Sequence, residues 1–69
     1  MPALNVDQIF MYHAPKADQP ARYVALREKA KELAVLIQAS CPDSRERAVA
    51  LTNLQQTVMW ANASIAINE

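Results

Sequence analysis

Glycine is absent from all 69 residues. Phosphate-cradling loops need glycine where the backbone closes on the anion, so a phosphate loop of that kind is excluded. Cys41 is the single cysteine, which rules out an internal disulfide and points to a reducing, intracellular setting. His13 is the single histidine, so a Ser/His/Asp or Cys/His set would have to be built around one ring, and no His/Cys cluster with metal spacing exists. Glu28 and Glu32 are i,i+4 carboxylates, but no neighbouring histidine completes a metal pattern. An enzyme is not expected, and neither a metal nor a cofactor.

Charge of one sign is also missing. Seven basic and seven acidic side chains cancel, so the chain lacks the positive field of a binder of polymeric nucleic acid. No charge at all occurs in residues 48–68, AVALTNLQQTVMWANASIAIN. Thr52, Asn53, Gln55, Gln56, Thr57, Asn62, Ser64 and Asn68 would be costly in a bilayer, which argues against a membrane span. The opening residues carry Asp7 and no continuous apolar run, so a signal peptide is not expected either. The charge-free segment must be covered by protein. A single domain of this size has little core of its own, and association is the available remedy.

With no glycine, and prolines only at Pro2, Pro15, Pro20 and Pro42, two long stretches run without a strong breaker. Asp18 as a cap and Pro20 in the first turn predict a helix over 18–40, ended by Cys41-Pro42. Asp43-Ser44-Arg45-Glu46 reads as a capping box with Asp43 as the cap, predicting a second helix over 43–67. So short a connection favours antiparallel neighbours. The expected fold is all-α: one helical-hairpin domain over 1–69, with an arm over 1–17 ahead of the hairpin. In the arm, Asn5 followed by Gln8 suggests one or two helical turns before a Pro15-bounded loop.

Tyr23, Leu26, Ala30, Leu33 and Ile37 form one stripe on the first helix, and Leu51, Leu54, Val58, Ala61 and Ile65 form another on the second. These stripes should close the hairpin. Val49, Trp60 and Ile67 fall nearly opposite the Leu51 stripe, with Gln56 and Asn53 beside them. A helix that is apolar on two sides needs a second partner, so Val49, Gln56, Trp60 and Ile67 are the expected surface for self-association. The competing reading folds Trp60 under the arm.

Arg27 and Lys31 border the first stripe on one edge, Arg22 and Lys29 on the other. Either their aliphatic stems cover the core while the heads reach water, or an assembly gathers them around a phosphate. In the arm, Phe10, Tyr12 and His13 lie just ahead of the Lys16 and Arg22 region. Rings that stack on bases near cations that meet phosphates are the ingredients of a small-nucleotide site. The alternative is an arm that staples the helices together through Phe10 and Tyr12.

Several segments follow one another in a distinctive order: Tyr12-His13-Ala14-Pro15, Asp18-Gln19-Pro20 with Arg22-Tyr23, Lys31-Glu32-Leu33-Ala34 with Ile37, Cys41-Pro42-Asp43-Ser44-Arg45-Glu46, Ala50-Leu51-Thr52, and Met59-Trp60-Ala61-Asn62-Ala63. In these the chain resembles the phage-encoded helical-hairpin family that includes anti-CBASS protein 2 and the hairpin domain of Thoeris anti-defence protein 1. The resemblance runs from about Phe10 to Ala66. It implies a homo-oligomer, typically a hexamer, that acts in the cytoplasm of the infected bacterial host as a sponge for cyclic oligonucleotide messengers. Cyclic dinucleotides, including cyclic GMP-AMP, and cyclic trinucleotides in a separate pocket are the implied partners; cyclic ADP-ribose derivatives rank lower.

By the same resemblance Tyr12 stacks on bases and Arg27 meets the phosphates, with Lys31 or Arg22 as alternatives. His13 either contacts the ligand or caps the loop. Asn62 is the implied reader of a base edge in the trinucleotide site. Many relatives place an arginine near position 67, where this chain has Ile67. A structural or adaptor hairpin that binds another protein is the alternative function.

Overall fold

The computed structural model of the chain describes residues 5–69. The first four residues of the expected arm, Pro2 among them, lie outside the described residues. Three helices follow in order: α1 (Val6–Ile9), α2 (Gln19–Ser40) and α3 (Arg45–Asn68). No strand occurs among the described residues. α2 and α3 pack together as a hairpin, giving a rod-like molecule of 43 × 26 × 19 Å.

The arm helix is a single turn. The Asn5 side chain caps it, accepting from Gln8 N at 3.1 Å. At α2 the cap differs from the expected one. Asp18 stands in the capping position but makes no capping bond, because its carboxylate is turned to Arg22, with Nη2 at 3.2 Å from Oδ1. The entry to α2 is instead tied by Gln19, whose N–H donates to Lys16 O at 3.0 Å while its Oε1 accepts from Lys16 N at 3.2 Å. Between them Ala17 has φ 52°, a left-handed conformation that costs a residue with a Cβ roughly 1 to 2 kcal/mol. Glycine would be the usual choice here.

α3 begins two residues later than the sequence reading placed it. Ser44, not Asp43, is the cap: its Oγ accepts from Arg47 N at 3.1 Å. Asp43 pairs with Arg47 Nη2 at 3.0 Å. Residue N3 of this cap is Arg47, which has no acceptor to return to the cap, so the reciprocal bond expected from Glu46 does not form. Arg47 serves the turn in another way. Its Nη1 donates to Gln38 O and Cys41 O, each at 3.4 Å, carbonyls that the end of α2 leaves open.

Of the expected stripes, Tyr23, Leu26, Ala30 and Ile37 on α2 and all five members on α3 are half-buried. Leu33 is not: it remains 45% exposed, and Ala34 takes its place. Ala30 and Ala34 share a groove with Leu51, Leu54 and Val58, so α3 lies over the side of the stripe where small side chains permit close approach. No hydrophobic residue is buried among the described residues; the sole buried residue is the polar Gln19. The accessible surface is 5681 Å², against roughly 4300 Å² expected from mass scaling for a folded monomer of 7.7 kDa. One copy leaves its apolar surface largely uncovered.

Candidate functional site

Two shallow grooves flank the α2 stripe. One, of about 320 Å³, has Arg27 and Lys31 on its rim above Ala30, Ala34, Leu51 and Val58. The other, of about 390 Å³, has Arg22 and Lys29 above Ala25, Leu26 and Ile65. The two edges of basic residues seen in the helical projection are thus two separate grooves. Both volumes sit at the low end of the range for small-molecule sites, and both are open to solvent.

The cations of the two grooves differ in their partners. Arg22 is engaged: its Nη1 donates to Glu69 Oε2 at 2.9 Å, its Nη2 bonds Glu69 Oε1, and Asp18 stands on the other side. The guanidinium holds the Glu69 carboxyl down to about 2, helped by the Gln19 amide at 3.4 Å, while the two carboxylates raise Arg22 further above its already high value. Lys29 pairs with Glu32 at 3.4 Å. Arg27 and Lys31 make neither an ion pair nor a side-chain hydrogen bond among the described residues. They are the adjacent cations left available to an anion.

The arm rings project outward. Tyr12 is 83% exposed, Phe10 84% and Met11 57%. These side chains do not staple the helices. The arm is fastened by polar groups instead: Gln8 Nε2 donates to Ile67 O, His13 Nε2 lies 2.7 Å from Gln8 O, and Lys16 Nζ donates to Glu69 O. A carbonyl oxygen can only accept, so His13 Nε2 carries a proton, and Nδ1 makes no hydrogen bond among the described residues.

The remaining site residues lie apart. Asn62 is half-buried on α3, and its Oδ1 is buried without a hydrogen-bond partner among the described residues, as is Arg22 Nε. Trp60 is 74% exposed and Val49 45%, so Trp60 does not fold under the arm; Gln56 is exposed beside them. Ile67 is half-buried where Gln8 reaches its carbonyl. Within one chain Arg27 and Lys31 come together, while Tyr12, His13 and Asn62 line neither groove.

Sequence reading did not place Gln8, Gln19 or Glu69 among the site residues, although they make polar ties at this end. Glu69 is the first charge after the neutral run, and Gln8 already stood in the arm's capping pattern. Neither signal names a partner some 50 to 60 residues away, a span set by the hydrogen bonds themselves.

No helix among the described residues is long and apolar enough to cross a membrane. Residues 2–66 match the family described as Acb2/Tad1, hairpin domain. No curated protein and no solved structure matches the chain.

Proposed function

The chain belongs to the Acb2/Tad1 hairpin-domain family, and from that premise we propose that it is an anti-defence sponge, a homo-oligomer that binds cyclic oligonucleotides without cleaving them. Cyclic dinucleotides such as cyclic GMP-AMP are its first ligands and cyclic trinucleotides its second. It acts in the cytoplasm of an infected bacterium, withholding the messenger from the host effector.

The observation that carries this reading is the pair of unengaged cations, Arg27 and Lys31, on an apolar groove, with Tyr12 exposed on the arm. A fork and a point charge suit phosphate oxygens, and an outward ring suits a base face. Because one copy does not bring Tyr12 into that groove, the complete pocket forms where copies meet. Exposed Val49 and Trp60, beside Gln56, supply the surface on which they do so, and six copies are the expected number. In the trinucleotide pocket Asn62 Oδ1 acquires the donor that it lacks in a single chain. Arg22 serves the open end of the hairpin through Glu69, and Arg27 with Lys31 takes the phosphates.

Isothermal titration with cyclic GMP-AMP and cyclic triadenylate tests the sponge. Nanomolar binding of at least the first, with the ligand recovered intact after denaturation, is expected. No heat with either, nor with a panel of related cyclic nucleotides, would favour an adaptor that docks another protein on the Trp60 face. Trp60→Ala should reduce the assembly on light scattering, since burying that ring contributes on the order of 2 to 3 kcal/mol.

A further inference from the structure

We propose that Gln8 is a positioning residue that presents Tyr12 for ligand stacking, a role that rests on the binding function proposed above. Gln8 engages each of its hydrogen-bonding groups but the side-chain oxygen. Its N–H donates to Asn5 Oδ1 at 3.1 Å, which starts the arm helix. Its main-chain carbonyl accepts from His13 Nε2 at 2.7 Å, closing a loop five residues round. Its side-chain amide donates to Ile67 O, in the last turn of α3.

That last contact answers a need of the fold. The final four carbonyls of an α-helix have no partner within it, and a left-handed glycine usually helps to satisfy them. This sequence has none. The Gln8 amide takes one such carbonyl, and in doing so it fixes the start of the Phe10–Tyr12 loop to the end of a long helix. Phe10, Met11 and Tyr12 hang outside the closed loop, all exposed. Their side chains contribute nothing to holding it; of the three only Phe10 takes part, through its backbone N–H on Val6 O at 3.1 Å. The loop is set by Gln8 and His13, so the stacking ring is free for a ligand while its backbone is already placed.

Ordering a free loop at the moment of binding costs conformational entropy for each residue fixed. A loop held in advance avoids part of that cost, which is what a positioning residue contributes. Gln8→Met keeps the length and removes the donor without adding charge. Gln8→Lys restores a donor at similar reach, beside a helix end that favours a cation.

The test uses the full chain with 3-fluorotyrosine, the Tyr12 and Tyr23 signals being assigned with Tyr12→Phe. In Gln8→Met the Tyr12 fluorine line should narrow to that of a mobile side chain, and cyclic GMP-AMP affinity should fall about tenfold. The thermal midpoint and the assembly should change little. Gln8→Lys should recover both line width and affinity. An unchanged Tyr12 line in Gln8→Met overturns the proposal, as does a loss that Gln8→Lys fails to recover. If the wild type binds no cyclic nucleotide, the sponge reading fails by itself, and the fluorine line still decides whether Gln8 positions Tyr12.

Discussion

The two ends of the hairpin solve the same problem by different means. At the turn, α2 must stop and α3 must start within a few residues, and every partner is close in sequence: Ser44 caps Arg47 N, Asp43 pairs with Arg47, and Arg47 reaches back to Gln38 and Cys41. At the open end, the last turn of α3 is finished by groups from the far side of the chain, Gln8 on Ile67 and Lys16, Gln19 and Arg22 on Glu69. Local closure suffices for a turn. The open end needs the arm, and the arm carries the exposed tyrosine, so the end that is hardest to close is also the end that holds the ring proposed to stack on the ligand.

Substitutions at the two ends should therefore separate binding from stability. The largest effect is expected at the open end: Tyr12→Ala should weaken cyclic dinucleotide binding by about 1 to 3 kcal/mol, as loss of one base-stacking ring does, with the assembly intact on light scattering. A mutant that binds normally would show that the ring has no part in the site, and one that falls apart would make the arm a structural staple. At the turn, Arg47→Ala should lower stability to denaturant by about 1 to 2 kcal/mol and leave affinity alone, since it opens the end of α2 and frees Asp43.

Smaller shifts sharpen the contrast. Ala17→Gly should raise stability by about 1 kcal/mol by relieving the left-handed φ at the entry to α2, measured as a higher urea midpoint with an unchanged slope. The acid response should be the slightest, because the Arg22–Glu69 pair is partly open to solvent. Its sign is fixed. Glu69 is held down to about 2 from an ordinary 4.5, so its contribution is complete above pH 4.5 and is lost as the pH falls toward 2. The thermal midpoint of the wild type should drop across that window by more than that of Glu69→Gln.

The sequence revealed the ends unequally. The hairpin itself was legible, since a glycine-free chain with no proline after Pro20 except Pro42 leaves few other ways to place two long periodic segments. Local choices were less so. At Asp43-Ser44 two adjacent residues are both good caps, and Arg47 settled the matter by claiming the aspartate. Asp18 lost its capping role to Arg22 in the same way. Leu33 and Ala34 lie at opposite edges of one stripe, and only the close approach of α3 over small residues decides between them.

For the candidate site, periodicity separated Arg27 and Lys31 from Arg22 and Lys29, and the grooves follow that division. Ion pairing then distinguished the engaged edge from the free one, which no spacing rule reveals. The polar ties of the arm span nearly the whole chain, so they left no local pattern to read.

The account depends on a single hairpin being unable to cover its own apolar surface. Native mass spectrometry of the purified chain at micromolar concentration tests this most directly, since it counts subunits and any bound cyclic nucleotide together. A closed assembly of six copies, able to carry cyclic dinucleotides, is expected. A ligand-free monomer that stays folded on dilution would contradict it.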